Sequence, residues 1–199
     1  MANVTAIILA AGLSRRMGTN KLFLDFEDKP IVQHVLYKIA QSNADEVVVV
    51  SSEVSIDRLH KMIDPTWKLI DNPDYETGMT SSIQKGVANA NSDNGLMICL
   101  ADQPLITVED YNQCIDIYAD ESLRDGKIIV VPFAGNKKGN PVIFSPFYRQ
   151  DILDHSEPEG CKEIIQMNKS HVVRVAIKNE GILNDVDTPE SYQQLIGKK

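Results

Sequence analysis

The chain has 199 residues, 43% of them hydrophobic and 24% charged, with a formal net charge of −8. That length supports one well-buried core and is short for two, and the acidic balance leaves no basic face for non-specific nucleic-acid binding. Three cysteines, Cys99, Cys114 and Cys161, lie far apart and outside any C-x-x-C spacing, which argues against a disulfide framework or a zinc site.

Met1-Ala2-Asn3 leads directly into the apolar run 4–11, without a basic n-region or a cleavage site. No later stretch approaches the ~20 apolar residues a membrane helix needs, so the expectation is a cytoplasmic protein that does not enter membranes. The first predicted strand is Val4–Ala10. Pro30 can then open a helix in which Ile31, Val35 and Ile39 share a face, and strands follow at Glu46–Ser51 and Lys68–Asp71. After a polar loop at 72–78, Ser81 or Thr80 can cap a helix carrying Ile83, Val87 and Ala90. The central apolar strand 96–101 contains Cys99, a core position. A further helix follows Thr107. Strands are expected at 127–132, 141–144 and Val172–Ala176, with polar loops at 134–140 and 156–160, and Thr188-Pro189-Glu190 begins the last helix.

Short β-branched runs alternating with helical stretches predict a parallel sheet with crossover helices. Most of the strands are apolar at consecutive positions, as strands covered on both faces should be. Open α/β sheets bind ligands at the carboxyl ends of their strands, so the loops after strands carry most functional weight. In the first of them, Gly12, Ser14, Arg15, Arg16, Gly18 and Lys21 fall within ten residues. Glycines let backbone N–H groups approach phosphate oxygens, and the cations neutralise charge. The spacing is not that of a Walker loop: five residues, not four, separate Gly12 from Gly18, and Lys21 comes three later. A flexible turn with solvated basic residues is the other reading of the same cluster.

Asp102 ends the apolar strand 96–101, and Pro104 stops the ladder from continuing. A carboxylate there can hold Mg²⁺, a hard ion that prefers oxygen ligands and triphosphates; it can also cap a turn. Asp185 and Asp187, one residue apart, share a face in an extended segment and could reach the same ion. Gly78-Met79-Thr80-Ser81-Ser82 offers hydroxyls and N–H groups that can read a base edge or ribose, or simply cap a helix. The histidines His34, His60, His155 and His171 are scattered, and no Ser-His-Asp or Cys-His set is evident.

These segments together resemble a known family. Leu9-Ala10-Ala11-Gly12 with Ser14, Arg16-Met17-Gly18 and Lys21 is similar to the signature of nucleoside triphosphate transferases related to the molybdenum cofactor guanylyl- and cytidylyltransferases. Asn72-Pro73-Asp74-Tyr75 with Gly78–Ser82 continues the resemblance, as do the segment 100–107, Gly139-Asn140-Pro141-Val142-Ile143-Phe144, and Asp185-Val186-Asp187-Thr188-Pro189-Glu190. The resemblance implies one domain over residues 1–199, a three-layer α/β/α sandwich with a mostly parallel, Rossmann-like sheet of the nucleotide-diphospho-sugar transferase type.

It also implies roles. Arg16, Lys21 and Asp102 would be catalytic. Leu9, Ala10, Ala11, Gly12, Ser14, Arg15, Gly18 and Lys21, with Gly78, Met79, Ser81 and Ser82, would bind the nucleotide. Asp102 and Asp187 would hold Mg²⁺, with Asp185 in support, and Gly139, Asn140, Pro141, Gly160 and Lys162 would line the acceptor side. Members reading guanine usually have glycine in place of Ala11, which favours CTP here. The implied reaction moves CMP from CTP onto the terminal phosphate of molybdopterin, releasing pyrophosphate, in the service of a molybdenum hydroxylase. The pattern departs at Glu157-Pro158-Glu159-Gly160-Cys161-Lys162, where relatives commonly have Gly-Asp-x-Gly-Ala-Arg; lysine replaces a bidentate donor by a point charge. Two other readings are carried forward: a transferase using GTP or another triphosphate, or acting on a sugar or alcohol phosphate, and a cofactor carrier or insertion chaperone that turns over no nucleotide.

Overall fold

The computed structural model describes residues 3–12 and 17–197. In chain order the strands and helices are β1 (Val4–Ala10), β2 (Asp25–Phe26), β3 (Lys29–Pro30), α1 (Ile31–Ala40), β4 (Glu46–Ser51), α2 (Ile56–His60), β5 (Lys68–Asp71), α3 (Met79–Asn89) and β6 (Gly95–Leu100). There follow α4 (Val108–Ser122), β7 (Ile129–Ala134), β8 (Lys137–Lys138), β9 (Val142–Phe144), α5 (Arg149–Leu153), α6 (Lys162–Met167), β10 (Val172–Ala176) and α7 (Pro189–Ile196).

The main sheet runs β10-β7-β9-β6-β1-β4-β5, with β8 paired to β7. Its ladders are parallel except where β9 pairs with β6 and β7 and where β8 meets β7. Period-2 alternation sends Ala6, Ile8, Val47, Val49, Met97 and Cys99 into one core layer and Ile7, Val48, Val50, Leu96 and Ile98 into the other. The first layer packs α1 and α4 through Val32, Val35, Tyr111 and Ile115; the second packs α3, α5 and α6 through Ile83, Val87, Ile152 and Ile164. This is the expected three-layer α/β/α sandwich. Burying an isoleucine or valine fully contributes roughly 1.5–3 kcal/mol, so consecutive apolar residues in β1 and β4 demand helices on both faces.

Several expectations are corrected in detail. β6 starts and ends one residue early, because Gly95 already pairs with Val4. β7 covers Ile129–Ala134 rather than 127–132, since Phe133 and Ala134 still find partners in β8. α3 begins at Met79 with Gly78 as its N-cap and no side-chain cap, so neither Thr80 nor Ser81 caps it. The Thr80 hydroxyl instead donates to the Glu157 carbonyl and accepts from the Gly160 N–H, which fastens the 157–160 loop to the helix. The β2–β3 hairpin turns through Glu27 and Asp28, both at positive φ, the pairing of dihedrals that a tight two-residue hairpin requires. The expected cap at Thr188 is present as a reciprocal capping box with Ser191, and Thr107, ahead of the expected helix, forms another with Asp110.

The strand order places the topological switch between β1 and β6. From β1 the chain builds outward through β4 and β5, then returns to β6 on β1's other side. Because β9 is antiparallel to β6, with Val142 opposite Ile98, its entry segment lies at the same edge as the ends of β1 and β6. Three loops distant in sequence therefore meet at one sheet edge.

Candidate functional site

Lys21 is delivered by a 3-10 turn, Lys21–Phe23, anchored at both ends. The Asn20 side chain accepts from the Leu22 N–H at 3.2 Å and donates to Ser55 Oγ at 2.8 Å, while Leu22 is buried in the core. Asp102 extends from β6, whose ladder with β1 continues through the Ala101 N–H to the Leu9 carbonyl at 3.2 Å. Lys38 of α1 donates to the Pro104 carbonyl just beyond, bracing this loop from the helix layer.

Asp187 comes from the far end of the chain. The Val186 N–H donates to the Asp102 carbonyl at 3.1 Å, docking the 185–187 segment as a backbone extension of the β6 loop. Ser191 Oγ, in the first turn of α7, accepts from the Asp187 N–H at 3.0 Å. The capping box of α7 thus orients the carboxylate as well as starting the helix.

These three side chains converge. The Lys21 ammonium forms ion pairs with both Asp102 and Asp187. The Asp102 side chain is 13% exposed and that of Asp187 is 45% exposed, so Asp102 is the buried floor of the cluster and Asp187 its open side. Burial alone would push the Lys21 pKa down, but the two carboxylates outweigh it and hold it above the ordinary lysine value. Burial pushes the Asp102 carboxyl up; Lys21 works against that shift and the like charge of Asp187 adds to it. Asp185 is raised by burial and then by Asp187 and Asp102.

Two cavities flank the cluster. The first, of about 420 Å³, is lined by Leu9, Ala11, Gly12, Lys21, Leu22 and Asp102 together with Tyr75, Glu76, Gly78, Met79 and Ser82. The second, of about 390 Å³, is lined by Gly139, Asn140, Lys162, Gln103 and an apolar wall that includes Ile98, Val142 and Phe144. Met79, Leu100, Asp185 and Asp187 line both. Among the described residues, an added Cβ on Gly12 would meet nothing within 4 Å. A Cβ on Gly139 would meet the Ile182 carbonyl oxygen at 2.5 Å, and the Asn140 N–H donates to that same carbonyl at 3.1 Å; these contacts weld the second cavity's rim to the segment that carries Asp187.

Most of the residues singled out in the sequence thus gather at one place, divided between two compartments. Ser14, Arg15 and Arg16 lie outside the described residues. Ala10, Gly18, Ser81, Pro141 and Gly160 are not on either cavity wall. Ala10 is buried within β1, and Ser81 shares its hydroxyl between the Gly78 and Asp74 carbonyls while accepting from Asn72. Gly160, at φ +78, packs beneath Met79, whose Sδ would lie 3.2 Å from an added Cβ. Lys162 pairs with Glu159 at 3.1 Å. Residues the sequence reading gave no role are Glu76, in a loop marked only as polar, and Tyr75 and Gln103, each inside a quoted motif.

Asp102 and Asp187 aim carboxylate oxygens at one point, already taken by a cation in the form of the Lys21 ammonium. Among the described residues no group of three or more His, Cys, Asp or Glu is arranged to hold a metal. A divalent ion held by these two hard ligands would complete its shell with water and phosphate oxygens, the usual arrangement for Mg²⁺.

The fold and the paired cavities define a nucleotide-handling α/β protein. The family model described as the MobA-like NTP transferase domain matches residues 6–175, and the chain belongs to that family of nucleotidyltransferases. Among curated relatives, the purine catabolism protein PucB of Bacillus subtilis is 31% identical, with 95% of this chain and 94% of the relative covered. The nicotine blue oxidoreductase of Paenarthrobacter nicotinovorans is 24% identical, covering 97% and 96%. The molybdenum cofactor cytidylyltransferase of Escherichia coli is 26% identical, covering 96% and 95%. Among solved structures, Rv0371c of Mycobacterium tuberculosis superposes with a TM-score of 0.86 at 21% identity over the whole of both chains, a likeness of fold.

Proposed function

We propose that the protein transfers the CMP moiety of CTP to the terminal phosphate of molybdopterin, releasing pyrophosphate. The observation that carries this reading is the junction itself: one lysine and two carboxylates stand where a glycine-lined cavity meets a second, separate cavity. A group transfer between two bound substrates needs that arrangement. The relative named as a molybdenum cofactor cytidylyltransferase supports the choice of donor and acceptor.

The triphosphate would lie in the first cavity, where Gly12 leaves room for close backbone approach and the uncapped start of α3, at Gly78 and Met79, offers free N–H groups beside Ser82. Ala11 lines the same wall, and by the family pattern its methyl group favours cytosine. Asp102 and Asp187 would hold Mg²⁺, which supplies charge neutralisation for the polyphosphate when bound.

The acceptor's phosphate monoester is largely dianionic at neutral pH, its second pKa being near ~6, so no strong general base is required. One of its oxygens forms the new bond to the α-phosphorus as the bond to the bridging oxygen breaks and pyrophosphate departs. Lys21, held protonated beside Asp102 and Asp187, would shift from between them to the phosphates when Mg²⁺ binds, and by the family resemblance Arg16 would add positive charge for the reaction. Gly139, Asn140 and Lys162 would hold the acceptor, and a molybdenum hydroxylase would receive the product.

The test supplies Mg²⁺ and each nucleoside triphosphate in turn, with and without molybdopterin, and measures pyrophosphate. Release with CTP and molybdopterin together is expected. Release with GTP alone among the nucleotides would overturn the base assignment, release with a sugar phosphate would overturn the acceptor, and tight cofactor binding without release would leave a carrier.

A further inference from the structure

Gln103 follows Asp102 at the end of β6 and is 3% exposed. It lines the second cavity, yet its Oε1 is buried without a hydrogen-bond partner among the described residues. A buried amide oxygen without a partner opposes folding, because the group has left water and received nothing in return. An apolar side chain of similar size would avoid that loss. The position therefore keeps a polar group from which the folded chain alone gains nothing.

Its surroundings narrow what it could serve. Ile98, Val142 and Phe144 give the cavity an apolar face, and Lys138, Asn140 and Lys162 add polar groups. A flat fused heterocycle would bury its faces against the aliphatic wall and needs polar contacts only along its edge. The last torsion of a glutamine side chain is broad and soft, so the carboxamide can turn to meet such an edge.

We infer that Gln103 is a specificity-determining residue for the acceptor, its carboxamide accepting a hydrogen bond from a ring N–H or amino group of a pterin-type heterocycle seated in the second cavity. This rests on the reading of that cavity as the acceptor side. The 2-amino-4-oxo edge of a pterin offers N–H donors to Oε1 and a carbonyl to Nε2.

The test compares the full chain with Gln103→Leu and the unbranched Gln103→Met. Fluorescence titration with 6-hydroxymethylpterin monophosphate reads binding without turnover, pyrophosphate release reads the KM for molybdopterin, and thermal melting reads stability. Either variant is expected to weaken pterin binding and raise that KM by about 10- to 100-fold, the range for one lost buried hydrogen bond. kcat should change far less, CTP affinity should hold, and the melting temperature should stay level or rise because the orphaned amide is gone. Pterin binding that depends on Gln103, with no pyrophosphate from CTP and molybdopterin, sustains the inference and overturns the reaction proposed above. Turnover of molybdopterin with the same KM in all three proteins does the reverse. A lowered melting temperature with unchanged pterin binding makes Gln103 a structural residue and overturns the inference.

Discussion

Lys21 holds a position between Asp102 and Asp187 that folding alone does not reward strongly, since an ammonium buried to this degree loses hydration that its partners must restore. The same enclosure makes its charge effective on a phosphoryl group, where water would otherwise screen it. Lys21→Ala and Asp102→Ala are each expected to lose about 10²–10³-fold in pyrophosphate release while keeping a cooperative unfolding transition; near-normal release from either would remove that residue from the chemistry. Asp187→Ala should lose substantially more activity than Asp185→Ala, because the Lys21 ion pair involves Asp187. Ala11→Gly opens the wall of the first cavity by one methyl group, and should move the ratio of kcat/KM for CTP over GTP toward GTP by roughly 10-fold. An unchanged ratio would shift base selection elsewhere in that cavity.

At the scale of an element, α3 couples core packing to the first cavity, the proposed nucleotide site. Its Gly86 lies so close to β1 that an added Cβ would stand 2.2 Å from Ile7 Cγ2 and 3.2 Å from Val50 Cγ2. Ile7 is fully buried and cannot swing aside. Gly86→Ala should therefore cost about 1–3 kcal/mol, read as a lowered denaturant midpoint. It should also weaken CTP binding, because the helix that is pushed outward carries Met79 and Ser82 on the cavity wall. α7 plays a comparable part on the other side, since its capping box positions Asp187 through Ser191. The apolar period of α3 is readable from Ile83 and Val87, but its start is not. Thr80 and Ser81 have the chemistry of caps, but the 157–160 loop engages the Thr80 hydroxyl and the Asp74 and Gly78 carbonyls take that of Ser81.

For the molecule as a whole, the two core layers isolate the thiols. Burial pushes Cys114 up to about 12 and raises Cys99 further, and it raises the Tyr111 hydroxyl well above its ordinary value. An unfolded cysteine ionises near ~8.5, so above that pH the unfolded chain releases protons that the native core retains. Each such group's stabilising contribution is complete below its unfolded pKa and is lost as pH climbs toward the folded one. Lys21, also raised, acts in the same direction. The denaturant midpoint is expected to fall steadily from pH 8.5 toward 11, and iodoacetamide should modify Cys99 and Cys114 only at the rate of global unfolding. Rapid labelling of either in the native protein would contradict the burial described.

What the sequence determined by itself was whatever depends on neighbours along the chain. Runs such as Val47-Val48-Val49-Val50 are apolar at every position, which only a doubly covered strand can bury. The order of such runs with amphipathic stretches is enough to predict a mostly parallel three-layer sheet. Gly12, Lys21 and Asp102 stood out because each follows an apolar strand or sits in a glycine-rich loop, where backbone geometry points outward to a ligand. Tertiary structure decided what depends on residues brought together across the sheet. It joined Lys21 to Asp187, 166 positions away, through the backbone contact of Val186 with Asp102. It gave the two groups of loop residues two adjoining cavities and left Ser81, Pro141 and Gly160 off both walls. It also left the Gln103 oxygen buried without a partner among the described residues, beside the second cavity. No local pattern marks such an oxygen, because whether a buried amide is satisfied depends on every segment that packs around it.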